Sequence, residues 1–484
     1  MQPCACPYND GMTTADLSLV DCPPTADFSD AVARLFDGEQ VHRDAYTSAT
    51  VYRLEQRRLL ARSWIYLGHV SQTPSAGDFI AVTVAEVPLL MVRQADGGVV
   101  VLINRCAHKG AMMTCAASGQ AGRALRCPYH AWAYRLDGSL LALPIREGYE
   151  GTGLARSQAA RGLTVVASAV HRGFVFVRLS STGASFEEQV PEGMRRCIDA
   201  MADRSPTGTL EVAGPALRSV IECNWKIYLE NVNDTVHASV THESSAESAS
   251  RTWEALQRSG EAPARKPMAM EQLLPFSQGS DFMERMGGQV FSGGHSILGI
   301  NASLHSDYSS IPGYEAAMVA AWGETKTADI LRWSPQNAVI YPSIAFKSMP
   351  QTLRVIRPLG VNRTLVEVWA FRALGAPDAL LERTLTYNRI VFSPMSLVAH
   401  DDVQVFESIQ RALASPGNEW VNLQRGARGM DPAGDSIVGG TDERMIRNQY
   451  RAWAAALALP ESVAEADAAP HGSVHEGLGE GLDR

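Results

Sequence analysis

Two pairs of metal-binding side chains stand close together in this sequence: Cys106-x-His108 and, after an 18-residue gap, Cys127-x-x-His130. Each pair follows a strand-like run and is loosened by Gly110 or Pro128, so two loop tips can approach each other and offer four donors. The mixture of donors narrows the chemistry. Two thiolates on one iron and two imidazoles on the other make a [2Fe-2S] centre of the Rieske type, which passes single electrons at a higher potential than an all-cysteine cluster. Structural zinc also takes two Cys and two His, but zinc fingers group like with like, whereas each arm here carries one of each. Cys115 lies between the arms, off the ligand spacing, and is expected to be a small buried side chain. Cys4, Cys6, Cys22, Cys197 and Cys223 are expected to be non-ligands.

A second group follows about a hundred residues on, in N-W-K-I-Y-L-E-N-V-N-D-T-V-H-A-S-V-T-H, residues 224–242. On a helix, Asn231, Asp234 and His237 fall at successive i+3 positions and share one face, a polar stripe that a core-facing helix does not bury without a partner. His242 is five residues past His237, about 140° round a continuous helix, so one ion could not easily take both. Ser239-Val240-Thr241 are poor helix formers, and a break there would turn His242 back toward His237. Two His and one carboxylate on one face of iron(II) leave positions open for O2.

The elements that must position these groups fall into two patterns. Between Trp64 and about Leu179, short β-rich runs at 79–84, 88–93, 99–103, 132–136 and 174–177 are split by turn residues, with Asp96-Gly97 and Asp137-Gly138 as hairpin turns. This predicts a small all-β domain over 64–180. From about 205 onward, helical stretches at 224–238 and 394–414 alternate with strands at 353–356 and 364–371, which predicts a larger α+β domain over 181–459. Residues 39–63, with Val51, Leu54, Leu59 and Leu60, predict a helical segment packing on that second domain. Residues 1–38 and 460–484 are polar or rich in Ala, Gly and acids, and read as tails. Gly477-x-Gly479-x-Gly481 follows no strand and opens no helix, so it carries no nucleotide-loop reading.

The run C-A-H-K-G-A, followed by C-P-Y-H-A-W-A-Y-R-L-D-G-S-L-L-A-L-P, resembles the Rieske domain of aromatic-ring-hydroxylating dioxygenase large (alpha) subunits. It lacks the extra paired cysteines of the respiratory and photosynthetic Rieske proteins. The resemblance covers about residues 40–455; Ala131 stands where the family often has Gly, and both tails are unmatched. It implies an α+β fold in which the Rieske domain sits in or next to a helix-grip-like catalytic domain with an antiparallel sheet. It also implies that His237 and His242 bind a mononuclear iron. S-P-M-S-L-V-A-H-D-D-V-Q-V-F-E-S-I-Q-R-A-L resembles the helix that supplies the third ligand, with Glu407 and Gln410 at the family's offsets from Asp402 and Asp401 as the alternative. Asp234 and Asn231 then become candidate catalytic positions, Asp234 matching the acid that links a Rieske histidine of one subunit to an iron-ligand histidine of its neighbour.

Composition bounds what such sites can serve. With 484 residues, 45% apolar and 20% charged, the chain is an ordinary soluble type long enough for two or three domains. A net charge of −9 with scattered Lys and Arg offers no stripe for nucleic acid. No apolar run approaches a membrane span and no secretory signal is visible, so a cytoplasmic location is expected. Eight cysteines are too few for a disulfide scaffold. Two iron sites without a dinucleotide fingerprint or ferredoxin spacing require electrons from another protein. The resemblance implies an NAD(P)H-dependent flavin reductase, directly or through a ferredoxin, and a homotrimer or a trimer of heterodimers with a small beta subunit. The implied reaction is cis-dihydroxylation or monohydroxylation of an aromatic compound. Oxidative O- or N-demethylation is the alternative, and a non-catalytic Rieske electron carrier is disfavoured because it has no use for His237, His242 and Asp402. For an aromatic acid, Arg332 or Arg389 could receive the carboxylate through bidentate bonding, against the reading of each as an ordinary structural arginine.

Overall fold

The stretch that reads as short alternating strands folds as one unit, Gln56–Ala184, in a computed structural model that describes residues 29–152, 154, 162–428 and 434–459. Cys4, Cys6, Cys22 and the Gly477–Gly481 run lie outside the described residues. Seven antiparallel strands form its main sheet, in the order Ile65–His69, Phe174–Arg178, Val165–His171, Val99–Ile103, Val87–Arg93, Asp78–Val84 and Ser118–Gln120. Leu89, Met91, Val101, Val175 and Val177 are completely buried between its faces, each burial contributing about 1.5–3 kcal/mol. The Asp96-Gly97 and Asp137-Gly138 turns form as their residues dictate: both glycines have positive φ, and each aspartate accepts the amide two residues on. A third hairpin carries no such signal. Its turn is Ala85-Glu86, with φ of 44° and 65°, so strand pairing of Asp78–Val84 with Val87–Arg93 imposes a left-handed turn on residues that do not favour it. The strand expected at 132–136 shortens to Ala133–Tyr134, part of a small three-stranded sheet with Leu125–Arg126 and Leu140–Ala142.

The larger unit comprises Phe28–Glu55 and Ser185–Ala458. The helical segment of residues 39–63 is therefore divided between the units after Glu55, inside a π-helical turn, Glu55–Leu60. Buried Glu55 accepts hydrogen bonds from Trp225 Nε1 (2.9 Å), Trp453 Nε1 (2.7 Å) and Lys226 Nζ, which ties this early segment into the core of the larger unit. The sheet is antiparallel throughout and nine-stranded, with the long hairpin Thr352–Gly360 and Arg363–Ala373 at its heart. Both strands extend beyond the expected 353–356 and 364–371, because cross-strand pairing carries the ladder on through Arg357, Pro358 and Gly360 opposite Leu365, Thr364 and Arg363.

Five helices of this unit carry the discussion below: α1 (Trp225–Val232), α2 (Val236–Thr241), α3 (Glu243–Ser259), α4 (Asp378–Tyr387) and α5 (Leu397–Leu413). The single helix expected over 224–238 is two. Asp234 stops the first by accepting Val236 N at 2.9 Å and His237 N at 3.4 Å, local bonds that compete with helix continuation. Asp234 therefore caps α2, and the expected shared helix face of Asn231, Asp234 and His237 does not exist. The break placed at 239–241 is also displaced: those residues remain helical, and the chain turns at His242, with φ −102° and ψ 14°, before α3 begins. Among the described residues no helix is long and apolar enough to cross a membrane.

Candidate metal centres

The two Rieske-type loops prove to be the same turn used twice. Cys106 N donates to Ala111 O (2.8 Å) while Gly110 N donates to Cys106 O (3.0 Å). In the second loop Cys127 N donates to Trp132 O (2.8 Å) while Ala131 N donates to Cys127 O (3.1 Å). The fifth residue of each turn is left-handed: Gly110 at φ 75°, which suits glycine, and Ala131 at φ 57°, which strains alanine. Each loop sends its cysteine inward and its histidine outward. Cys106 and Cys127 are buried, His108 is half-buried and His130 exposed. The imidazole centroids of His108 and His130 are 4.7 Å apart, and His108 stacks on Trp132 at 4.8 Å.

Tyr134 OH lies 3.2 Å from Cys106 Sγ and accepts Ala107 N at 3.1 Å, so its hydroxyl proton is free to point at the sulfur. Burial raises the pKa of the Cys106 thiol against the lowering by Tyr134, and Cys127 raises it further; a metal group that removes both thiol protons relieves this crowding. Burial, His130 and Lys109 lower the pKa of His108, which favours the neutral imidazole a metal needs. Among the described residues these four donors do not converge on one point; a single tetrahedral zinc requires that, whereas a two-iron group spreads its ligands over two metals. The donor set thus fits a [2Fe-2S] group better than zinc.

Cys115 is exposed, contrary to expectation. Asn104 Oδ1 accepts the amides of Met113 (2.9 Å) and Thr114 (3.3 Å), and this turns Met113 into the core in its place. Cys197 and Cys223 are buried far from ionisation: burial raises both thiols, that of Cys223 to about 12.

In the larger unit, one donor set converges. Among the described residues, His237, His242 and Asp402 are the only His, Cys, Asp or Glu group of three whose donor atoms lie within 4.8 Å of one another. Helix α5 delivers Asp402 by running antiparallel to α1, with three cross-links. Asn224 N donates to Gln410 Oε1 (2.8 Å), the rings of Tyr228 and Phe406 lie 5.8 Å apart, and Asn231 Nδ2 donates to Asp402 Oδ1 (3.3 Å).

Both imidazoles turn Nε2 toward Asp402 Oδ1, at 3.9 Å for His237 and 3.4 Å for His242. Each turns Nδ1 toward another acid: Asp234 Oδ2 at 3.5 Å and Asp401 Oδ2 at 3.7 Å. These are ion-pair distances, and His237 Nδ1, His242 Nδ1 and Asp401 Oδ2 are buried without a hydrogen-bond partner. Asp401, the alternative third ligand, thus stands behind His242 as Asp234 stands behind His237. Burial opposes charge on His242, yet Asp402 and Asp401 outweigh it and raise its pKa, so the site attracts a cation. Burial likewise opposes ionisation of Asp234, but His237, Val236 N and Arg425 prevail and hold its pKa at about 2. Arg425 Nη2 donates to Asp234 Oδ1 at 2.9 Å, a partner no local motif announces.

The expected substrate arginines are elsewhere. Arg332 is exposed and pairs with Asp329, three residues before it, at 3.2 Å; Arg389 is exposed. Among the described residues neither bonds to the His237, His242 and Asp402 group. Arg332 ends the helix Glu324–Arg332, and Arg389 lies in the short π-helical turn Asn388–Phe392.

Known proteins resemble this one along nearly its whole described length. Residues 63–153 match the family described as Rieske [2Fe-2S] domain, and residues 200–459 match the ring hydroxylating alpha subunit (catalytic domain). The anthranilate 1,2-dioxygenase large subunit of Acinetobacter baylyi is 27% identical over 431 residues, covering 86% of this chain and 88% of that one. The biphenyl dioxygenase subunit alpha of Paraburkholderia xenovorans is 29% identical over 415 residues, 83% of each. The crystal structure of naphthalene 1,2-dioxygenase from Rhodococcus sp. bound to indole superposes with a TM-score of 0.68 at 23% identity, covering 87% of this chain and 95% of that one, which establishes a shared fold.

Proposed function

Because the chain belongs to the ring-hydroxylating alpha-subunit family and carries a Rieske [2Fe-2S] domain, we propose that Cys106, His108, Cys127 and His130 hold the cluster and that His237, His242 and Asp402 hold the iron. As a member of that family it is an oxidoreductase that incorporates O2, with a [2Fe-2S] cluster and a mononuclear iron as cofactors. When bound, the cluster supplies single electrons, and the iron, with two His and one carboxylate, supplies open positions for O2 beside an organic substrate.

The side chains around the iron site act by holding and orienting. Asp234 faces the outer nitrogen of His237 and Asp401 that of His242, so each acid is placed to draw Nδ1 outward and leave Nε2 inward. Asn231 Nδ2 donates to Asp402 Oδ1 and restrains its carboxylate. Ala238, Phe276, Val391 and Val398 belong to one apolar cluster, a wall suited to an aromatic ring. The observation that carries this reading is the convergence of His237, His242 and Asp402, with an acid behind each imidazole.

The substrate class we propose is an aromatic acid, converted by cis-dihydroxylation; anthranilate in the name of one relative supports an acid, and the ring-lined wall supports an arene. Electrons come from an NAD(P)H-dependent flavin reductase, directly or through a ferredoxin, in the cytoplasm. The working assembly is a three-fold ring, with or without a beta subunit, in which Asp234 links His237 to His130 of the neighbouring copy. Incubating the purified protein with a surrogate reductase, NADH, 18O2, aromatic acids and their methyl ethers tests the reaction. Ring diols carrying both labelled atoms support it. Formaldehyde from the ethers assigns demethylation instead, and reversible cluster reduction without any oxygenated product assigns an electron carrier.

A further inference from the structure

The two carboxylate oxygens of Asp234 have different duties. Oδ2 accepts His237 N at 3.4 Å and faces His237 Nδ1 at 3.5 Å. Oδ1 accepts Val236 N and Arg425 Nη2, both at 2.9 Å. The bond from Val236 follows from the local chain, as the cap of α2. The bond from Arg425 comes from a turn 191 positions along the chain.

Arg425 does not reach Asp234 as a loose surface side chain. Its Nε donates to Thr441 O at 2.7 Å, and its Nη2 also lies 3.4 Å from Glu443 Oε1. Nε and Nη2 belong to one rigid, planar guanidinium, so a fixed carbonyl and a fixed carboxylate leave Nη2 little choice of direction. The backbone beneath is fixed as well. Arg425 N donates to Glu443 Oε2 (2.8 Å), while Glu443 N (3.0 Å) and buried Arg447 Nη1 (3.1 Å) both donate to Arg425 O. The segment that holds Arg425 also holds the junction between α1 and α2, since Gly440 O accepts Thr235 Oγ1 at 2.9 Å.

Stability gives little reason for this construction. The Arg425 side chain is 40% exposed, and ion pairs so placed contribute little to folding. The cap of α2 is made by an uncharged amide, Val236 N, and requires no cation. What the extra bond adds is direction. The Cβ–Cγ torsion of an aspartate is broad, so a carboxylate held through local amides can rock, whereas a guanidinium anchored elsewhere fixes its plane.

We infer that Arg425 is a positioning residue for the iron site: by holding Oδ1 of Asp234 it aims Oδ2 at His237 Nδ1 and so sets the orientation of that imidazole. The inference rests on the reading of His237 as an iron ligand with Asp234 as its outer partner.

The test uses full-length Arg425→Gln, Arg425→Lys, Asp234→Asn and the double variant Arg425→Gln/Asp234→Asn. Iron(II) titration of protein freed of its mononuclear metal gives the affinity, and near-infrared magnetic circular dichroism of the ferrous site reports its ligand geometry. Arg425→Gln should keep the reduced-cluster signature and shift the ferrous spectrum the way Asp234→Asn shifts it. Its iron affinity should fall by up to about tenfold, the low end of what losing an outer partner of a ligand histidine costs. Arg425→Lys keeps the charge but not the fork and should lie between Arg425→Gln and the wild type. The double variant should match Asp234→Asn alone, because Arg425 acts through Asp234.

A wild-type spectrum and affinity in Arg425→Gln, beside a changed Asp234→Asn, overturn the inference alone. So does a double variant whose affinity loss is the product of the two single losses, since Arg425 would then act elsewhere. If Arg425→Gln does not fold, Arg425→Lys decides: a spectrum displaced toward that of Asp234→Asn supports the inference, and a wild-type spectrum overturns it. An Asp234→Asn protein with unchanged spectrum and affinity refutes the outer-partner reading itself, and the inference with it.

Discussion

The two candidate metal centres are built in opposite ways. In the β-rich unit, four donors come from two short loops with one repeated turn, whose hydrogen bonds run between residues at most five positions apart. In the larger unit, the donors come from the start of α2, the turn at His242 and the second turn of α5, and the bond from Asn231 to Asp402 spans 171 positions. The first site is a property of local sequence, and the second of how helices pack on a sheet. A damaged loop should therefore cost only its own cluster, whereas a damaged helix junction should cost the iron and the alignment around it.

The largest expected effects are complete and separate. His237→Ala removes one of two imidazole ligands; oxygenation should fall to background while the visible and paramagnetic signature of the reduced cluster persists. Cys106→Ala should do the reverse to the signature, abolishing it. Loss of the cluster signal in His237→Ala would show the two sites to be structurally coupled and break the contrast.

Asp402→Ala should also abolish turnover, whereas Asp401→Asn should weaken iron binding by only about 10–100-fold, the usual cost of losing an outer partner of a ligand histidine. Iron titrations on the two variants decide this, and the opposite order would make Asp401 the ligand.

Asp234→Asn keeps size but replaces an acceptor oxygen with an NH2 that cannot receive an imidazole N–H. The variant should retain both metals and a reducible cluster, yet turn over slowly. In single-turnover experiments with pre-reduced protein, substrate and O2, its cluster should fail to reoxidise. Normal reoxidation would leave Asp234 as no more than the cap of α2 and the partner of Arg425.

The smallest effect concerns the repeated turn. Ala131→Gly relieves a left-handed alanine and should stabilise the β-rich unit by up to about 1 kcal/mol, offset in part by glycine's greater chain entropy. Chemical denaturation followed through the cluster absorbance measures it, and destabilisation would mean that the Ala131 methyl packs usefully.

This contrast also explains what could be read before folding. The Cys-x-His and Cys-x-x-His pairs carry their chemistry in their spacing, and the strands that hold them alternate plainly; the left-handed turn imposed by pairing at Ala85-Glu86, the shortening of the 132–136 strand and the exposure of Cys115 have no such signal. The helix over 224–238 read as continuous because periodicity does not register a side chain that bonds its own backbone, which is what Asp234 does. Asp402 was reachable through resemblance alone, since nothing local links it to His237. Arg425 beside Asp234 and Asp401 behind His242 are products of tertiary packing and have no sequence signal of their own. Arg332 and Arg389 show the converse: residue type alone does not place a guanidinium, and the fold leaves both exposed, Arg332 paired with Asp329.

The most direct test is a count of iron, zinc and acid-labile sulfide in the anaerobically purified wild type, Cys106→Ala and His237→Ala proteins. The account predicts about three irons and two sulfides per chain in the wild type, about one iron and no sulfide in Cys106→Ala, and about two of each in His237→Ala. Zinc in place of iron, or a wild type with two irons that His237→Ala leaves unchanged, would contradict it.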